Sequence, residues 1–415
     1  MSFDFTAYLK TLYPDAEYTV TPLDGGLVNT TVRAKRTTDA KAGEPRSLIL
    51  KHAPPYVAVA GPDLPFSQER QTVEAVMLSA FGPGNPLSSL PAKGPVTIPG
   101  VITHDPDKAV LAIEDLGALQ TLWALLSPAS ASLVPEPHLE AAYEDIGARV
   151  GRLFAELHSA STSDVLSRDS RLAKTLTHNL TEKIVNDVAV EPLASRLREF
   201  NVPNAEEIGL RVKEAYAREA VLPRLCLGDF HPGSILASSW ADRPYNPAPA
   251  SSSPGDDQAV TVIDWEFARL GGQGPDGDMP QFLACLHCNL IALDRDEPAY
   301  RATLAVARGL VRAYARHADI NGPESAASIS ADRKWELVRA CLILYGRETI
   351  NQAFERKDVW GGGVEARKTM VERGAWYVEM AGSDVAEMRQ PERWDDLKMR
   401  DGGFLLGLFS LDNAA

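Results

Sequence analysis

Apolar and polar positions alternate in short runs along the first part of the chain, in EYTVTPL (17–23), VNTTVRAKR (28–36) and RSLILKH (46–52). The turn former DGG and the polar stretch TTDAKAGEP separate these runs, so the pattern predicts an antiparallel sheet. The period then lengthens. In SQERQTVEAVMLSAF (67–81), Val73, Val76, Met77 and Phe81 recur at helical spacing, with Ser67 placed as N-cap and Phe66 as a hydrophobic staple. After the Pro/Gly-rich GPGNPLSSLPAKGP comes AVLAIEDLG (109–117), an apolar strand that closes on two acids and a glycine. Beyond it the pattern is mainly helical, in YEDIGARVGRLFAELHSAS, QFLACLHCNLIAL and RATLAVARGLVRAYARHA. The shift falls near Asp115 and divides the chain into residues 1–115, rich in strands, and residues 116–415, rich in helices. No internal repeat interrupts either part.

One segment breaks the helical part. GSILASSW and AVTVIDWEFA read as strands, and the Pro/Ser/Asp-rich ADRPYNPAPASSSPGDDQ between them reads as a long, solvated hairpin loop. Near the end, FLLGLFSL (404–411) is far too short to span a bilayer and is expected to dock a C-terminal segment on the core.

Composition narrows the function classes. With 415 residues the chain can build a large two-lobed fold, and 45% hydrophobic with 24% charged residues is ordinary for a soluble globular protein. A balance of 42 basic against 56 acidic residues, net −14, opposes nonspecific binding to nucleic acid or to an anionic membrane. The start, MSFDFTAYLK, lacks the basic and apolar regions of a signal peptide, and no run approaches the ~20 apolar residues of a membrane span. A cytoplasmic protein is the expectation. Cys226, Cys285, Cys288 and Cys341 lie in apolar segments, as reduced buried thiols do. CLHC resembles half a zinc site, but no second ligand pair accompanies it.

Chemistry concentrates in a few places. LCLGDFHPGSIL sets Asp229 among apolar residues, where an unpaired carboxylate costs several kcal/mol, so it needs a partner or a reaction. In VIDWEFARLG, Asp264 and Glu266 stand two apart at a strand end; in an extended segment both would face one side and offer two carboxylates to a metal. In PLDGGLVNTTVRAKR, Gly25 and Gly26 allow backbone N–H groups to approach an anion, with Asn29 steadying the turn. Lys51, inside the apolar LILKHA, calls for an anionic partner. Glu74 is the first choice for that partner and Glu69 the alternative.

GDFHPGSIL followed by VIDWEFARLG resembles the catalytic and metal-binding loops of the aminoglycoside phosphotransferase and choline kinase superfamily. The resemblance implies an α+β, two-lobed, protein-kinase-like fold, with a small antiparallel-sheet N-lobe and a larger, mainly helical C-lobe. It implies that ATP with Mg2+ is used to phosphorylate a hydroxyl of a small-molecule acceptor. Asp229 would accept the hydroxyl proton, Ser234 and Asp264 would hold magnesium with Glu266, and Lys51 would contact the α and β phosphates. The main chain of Glu114 to Leu116 would meet adenine. Asp278, with Asp276 as competitor, would tie down the catalytic loop or cap the next helix. His231 reads as a residue that shapes the turn before Pro232 and Gly233, not as a second base.

LILKHAPPYVAVAG, LPFSQERQTVEAVML, the Gly-Ser of the loop and the Asp-x-Glu motif resemble the methylthioribose kinase branch in particular, over roughly Thr21 to Leu290. Three departures stand out. Ser234 replaces the usual Asn of the superfamily, and Leu227 replaces the usual His. Asn351 and Gln352, in RETINQAF, stand where the branch carries an arginine pair near its substrate, so 5-methylthioribose is not expected to be the preferred acceptor unless Arg339 or Arg347 takes over. The rival to a small-molecule kinase is a nucleotide-binding protein of the same fold with weak or no transfer. A metal-dependent hydrolase would leave Lys51 unexplained.

Overall fold

The computed structural model describes residues 3–23, 26–41, 43–93, 95–241, 259–322, 329–360, 362–394 and 403–411. Strands β1 (Tyr18–Pro22), β2 (Thr30–Arg36), β3 (Ser47–His52), β4 (Val101–Asp105) and β5 (Val110–Glu114) form an antiparallel sheet in the order β1-β2-β3-β5-β4. Side chains alternate across a strand, so β3 serves both faces. Leu48 and Leu50 pack with Phe5, Tyr8 and Leu9 of helix α1 (Phe5–Leu12), while Ile49 and Lys51 turn the other way. That second face meets helix α2 (Glu69–Ala80), whose Val73, Val76 and Met77 are buried as their spacing predicts. The helix starts later than expected. Ser67 Oγ accepts from the Glu69 N–H at 3.3 Å, two residues on, and Gln68 takes the flanking position without a side-chain cap.

The rest of the chain is dominated by helices: α3 (Leu122–Leu125), α4 (Leu139–Leu157), α5 (Leu193–Glu199), α6 (Met279–Ala292), α7 (Pro298–His317), α8 (Ala331–Glu355), α9 (Gly363–Met380) and α10 (Phe404–Leu408), among others. Small strands are set into them. β6 (Leu119–Thr121), β8 (Ile235–Ser238) and β9 (Val260–Val262) form one sheet, and β7 (Pro223–Cys226) pairs with β10 (Arg269–Gln273). The two pieces flanking the Pro/Ser/Asp-rich linker do pair as an antiparallel hairpin, with Ile235 opposite Val262. The linker itself, residues 243–258, lies outside the described residues. Helix α6 is mostly apolar and runs through the core, with Phe282, Leu283, Cys285 and Cys288 fully buried. Helix α10 buries Phe404, Leu405, Leu406 and Leu408 in the same core, as expected of a docking C-terminal segment. Among the described residues, no helix is long and apolar enough to cross a membrane.

Helices α4 and α7 touch backbone to backbone. A Cβ at Gly151 would stand 2.3 Å from the Leu310 carbonyl oxygen, and one at Gly309 only 2.1 Å from that of Glu144. Any larger side chain must therefore push the helices apart. Gly151→Leu is expected to cost about 3 kcal/mol or more of unfolding free energy, at the upper end of overpacking effects. Urea denaturation checks this, and an unchanged midpoint would mean that the pair parts freely.

Candidate active site

Lys51 reaches from the sheet to both parts of the molecule. Its Nζ lies 2.7 Å from Glu74 Oε1 on α2 and 2.9 Å from Asp264 Oδ1 beyond β9. Glu69, the alternative partner, is exposed. Burial alone would push the Lys51 ammonium down, but the Glu74, Asp264 and Glu266 carboxylates outweigh it and hold it above the ordinary lysine value. The lysine therefore stays charged.

The Asp264 segment is not extended. Asp264 takes a left-handed conformation (φ 62°, ψ 58°) and Trp265–Phe267 forms a 3-10 turn, where the spacing had implied an extended strand end, and both carboxylates act on Lys51. Asp264 faces Lys51 with its side chain 36% exposed, whereas Glu266 turns inward. Glu266 Oε2 accepts from Asn29 Nδ2 at 2.7 Å and lies 3.4 Å from Arg70 Nε. Burial pushes its carboxyl up to about 7. Asn29 Oδ1 in turn accepts from Arg70 at 3.2 Å. A Cβ at Gly26 would stand 3.1 Å from the Asn29 carbonyl oxygen, a tight approach that asks the turn to give slightly; Gly25 lies outside the described residues.

Arg70 is the residue that sequence reasoning missed. It is fully buried on α2, one turn before Glu74, and donates to the carbonyls of Val28, Pro54, Phe66 and Ser67 as well as to Asn29. The only local signal was an arginine on the same helical face as the chosen glutamate.

The loop carrying Asp229 is held from below. Asp278 accepts from the Leu227 N–H at 2.7 Å and the Gly228 N–H at 2.9 Å, and its other neighbour is His158 Nε2 at 3.1 Å. Asp278, not Asp276, thus ties this loop; Asp276 accepts from the Val221 N–H at 3.1 Å. Asp278 makes no side-chain cap bond to α6, which corrects the capping expectation. Gly228 sits at φ 90°, and a Cβ there would be 2.4 Å from the Phe267 carbonyl oxygen, so only glycine lets the two loops close on each other. Gln281 Nε2 on α6 donates to Asp229 Oδ1 at 2.8 Å. Neither His158 nor Gln281 was singled out from sequence.

His231 shapes the turn as expected, its Nδ1 accepting from the Gly233 N–H at 2.9 Å, while its Nε2 stays 3.9 Å from Asp229 Oδ2. Ser234 is buried and donates its hydroxyl to the Asp229 carbonyl at 3.2 Å. Its own carbonyl accepts from the Ile263 N–H at 2.9 Å, which links the two loops again. Leu227 is buried in the core and brings no reactive group.

Glu114 ends β5, its N–H bonded to the Gly100 carbonyl at 2.9 Å, and Leu116 follows in the connection to β6. Asp115 between them is fixed by Arg33 at 3.0 Å and by Ser47. Farther into the helical lobe, Asn351 is buried between Arg196 and the Ala189 carbonyl, and Gln352 donates to Glu348 at 2.8 Å. Arg339 points elsewhere, to the Ser383 carbonyl, whereas Arg347 stays beside Glu348. All four cysteines are buried, and no group of three metal-ligating side chains occurs among the described residues.

A sheet-rich lobe bearing Lys51 and Glu74 meets a helical lobe bearing Asp229 and Asp264, and this is a two-lobed α+β fold. The chain is similar to the methylthioribose kinase of Bacillus velezensis, 25% identical over 362 residues that cover 80% of this chain and 81% of the relative. It is similar also to that of Bacillus mycoides, 29% identical over 267 residues, covering 61% of this chain but only 57% of the relative. These relatives bear out the superfamily resemblance drawn from the motifs. No family model matches the chain. Among solved structures, a streptomycin–ATP complex of an aminoglycoside phosphotransferase aligns with 89% of this chain and 99% of its own, at 16% identity and a TM-score of 0.42.

Proposed function

We propose that this chain moves the γ-phosphate of ATP to a hydroxyl of a small molecule. The observation that carries this reading is the Lys51 ammonium shared between Glu74 of one lobe and Asp264 of the other. A buried lysine poised on a half-open carboxylate is suited to exchange that contact for phosphate oxygens. Gly25, Gly26 and Asn29 would border the phosphates, and the main chain of Glu114 and Leu116 the adenine. Asp229, oriented by Gln281, would position the acceptor hydroxyl and take its proton.

Magnesium fits the donors unequally. Asp264 offers a partly exposed carboxylate, the hard oxygen ligand that Mg2+ prefers. Glu266 has an oxygen committed to Asn29 and lies against the Arg70 cation, so it would serve a second ion only by sharing. Ser234 would contribute the free lone pairs of its hydroxyl. When bound, Mg2+ would neutralise phosphate charge that this acidic protein cannot.

Acceptor-dependent ADP formation across a metabolite library, run beside MgATP binding, tests the reading. Binding of MgATP without ADP formation from any acceptor would favour the rival, a nucleotide-binding protein without transfer. Asp264→Ala is expected to weaken MgATP binding at least ~10-fold, the loss of one charge-assisted contact. Calorimetry with and without Mg2+ checks it, and unchanged affinity would remove Asp264 from the metal site.

The relatives' name makes methylthioribose the first acceptor to try. Asn351 and Gln352 argue against it, since both are buried and bonded within the protein.

A further inference from the structure

Next to Asp229 the helical lobe gathers charge from several elements, and among the described residues there Arg356 is left without an ion-pair partner. Gln281, which donates to Asp229, and Cys285 lie one turn apart on α6. The Cys285 sulfur is 3.8 Å from Glu348 Oε1. Burial, Glu348 and Asp229 push that thiol up while Arg356 pulls it down. Glu348 is matched, by Arg347 at 3.6 Å and by the Gln352 amide. Glu355 faces Arg196 at 3.5 Å. Arg356 forms no ion pair with any described residue, and its Nε is buried without a hydrogen-bond partner.

What Arg356 has instead is aromatic. Its guanidinium lies 4.1 Å from the ring centroid of Trp123 on α3 and 5.7 Å from that of Trp360. Trp123 also stands over the loop of Asp229, since a Cβ at Gly233 would be 3.6 Å from its Cδ1. An amine-bearing acceptor meets this arrangement poorly. The carboxylates beyond Asp229 already have partners, and the ring faces that would hold an ammonium already hold a guanidinium. An anion meets it well, because a half-buried, unpaired guanidinium offers forked donors with part of its desolvation already done.

We propose that the acceptor is a hydroxylated small molecule bearing a carboxylate or phosphate, its anionic group held by Arg356 beside Trp123 and Trp360 while its hydroxyl faces Asp229. This rests on the phosphotransfer reading and specifies the class of acceptor. Matched probes test it: gluconate against glucitol, and glycerate and glycerol 3-phosphate against glycerol, with ethanolamine and choline as amines and methylthioribose as a neutral sugar. Binding is measured by calorimetry in the presence of Mg2+ and a non-hydrolysable ATP analogue, and turnover by ADP formation.

At least one anionic probe is expected to bind ~10-fold or more tightly than its neutral partner, the carboxylate and phosphate arms telling which anion fits. Arg356→Gln should erase that preference, raising KM for the anionic acceptor with little change in kcat or in KM for ATP. Arg356→Lys should restore part of it. A merely structural arginine would instead lower the response to every probe alike, which would overturn the proposal. So would preference for neutral or amine probes, binding of no anionic probe, or an Arg356→Gln protein that binds anions as the parent does. An anionic probe that binds through Arg356 without ADP formation would leave the anion site standing and count against phosphotransfer.

Discussion

Asp229→Asn protein is expected to bind MgATP as the parent does and to transfer phosphate ~10^2 to 10^4-fold more slowly, the range for loss of a general base. The substitution is unusually clean here. Gln281 Nε2 donates to Oδ1, and Asn can keep its carbonyl oxygen on that side, leaving the amide where the proton acceptor was. The loop should hold its shape, because the N–H groups of Leu227 and Gly228 are anchored by Asp278 and not by Asp229 itself. Single-turnover kinetics beside nucleotide calorimetry separates chemistry from binding. Transfer at the parental rate would take Asp229 out of the reaction.

Arg70→Ala should be strongly destabilising, by about 3–5 kcal/mol, the scale for removing one partner of a buried ion pair. For a protein whose net stability is of order 5–15 kcal/mol, that is a large fraction. The change strands Glu266, Asn29 Oδ1 and four backbone carbonyls in a place where no water reaches Arg70 now. The penalty should also grow with pH. Burial already raises Glu266 to about 7, so below that value the acid can stay neutral when Arg70 is gone. Above it, the buried carboxylate must charge with only Lys51 and the Asn29 amide to offset it, or hold a proton against the solvent. Urea denaturation at pH 5 and pH 8 reads both effects; a loss below ~1 kcal/mol at pH 8 would mean that Glu266 finds another partner.

The motifs made the two loops and Lys51 legible because each is local: an acid among apolar residues, a lysine in a strand, a glycine at a turn. The sheet was legible for the same reason, as its period of two follows from burying one face of β2 and β3 against α1. Spacing failed at Asp264, where a single left-handed residue opens a 3-10 turn in place of an extended strand end. No pattern of spacing reveals one dihedral angle. Arg70, His158, Gln281 and Arg356 escaped for another reason: their partners are brought to them by the fold, and an arginine or glutamine on a helix reads as solvated until its neighbour across the core is known. The cap at Ser67 missed by one residue, since its hydroxyl serves Glu69 from just outside the helix.

The contacts that unite the two lobes are also the most distant in sequence. Lys51 meets Asp264 across 213 residues, and Asn29 meets Glu266 across 237. A chain still being synthesised can therefore build its sheet and bury Leu48 and Leu50 early, yet it holds Lys51 and Arg70 without their loop acids until the second motif has emerged. Closing so long a loop carries an entropic cost that local contacts do not repay. The Lys51 site thus comes into being only after the second motif has emerged, and neither lobe produced alone would possess it.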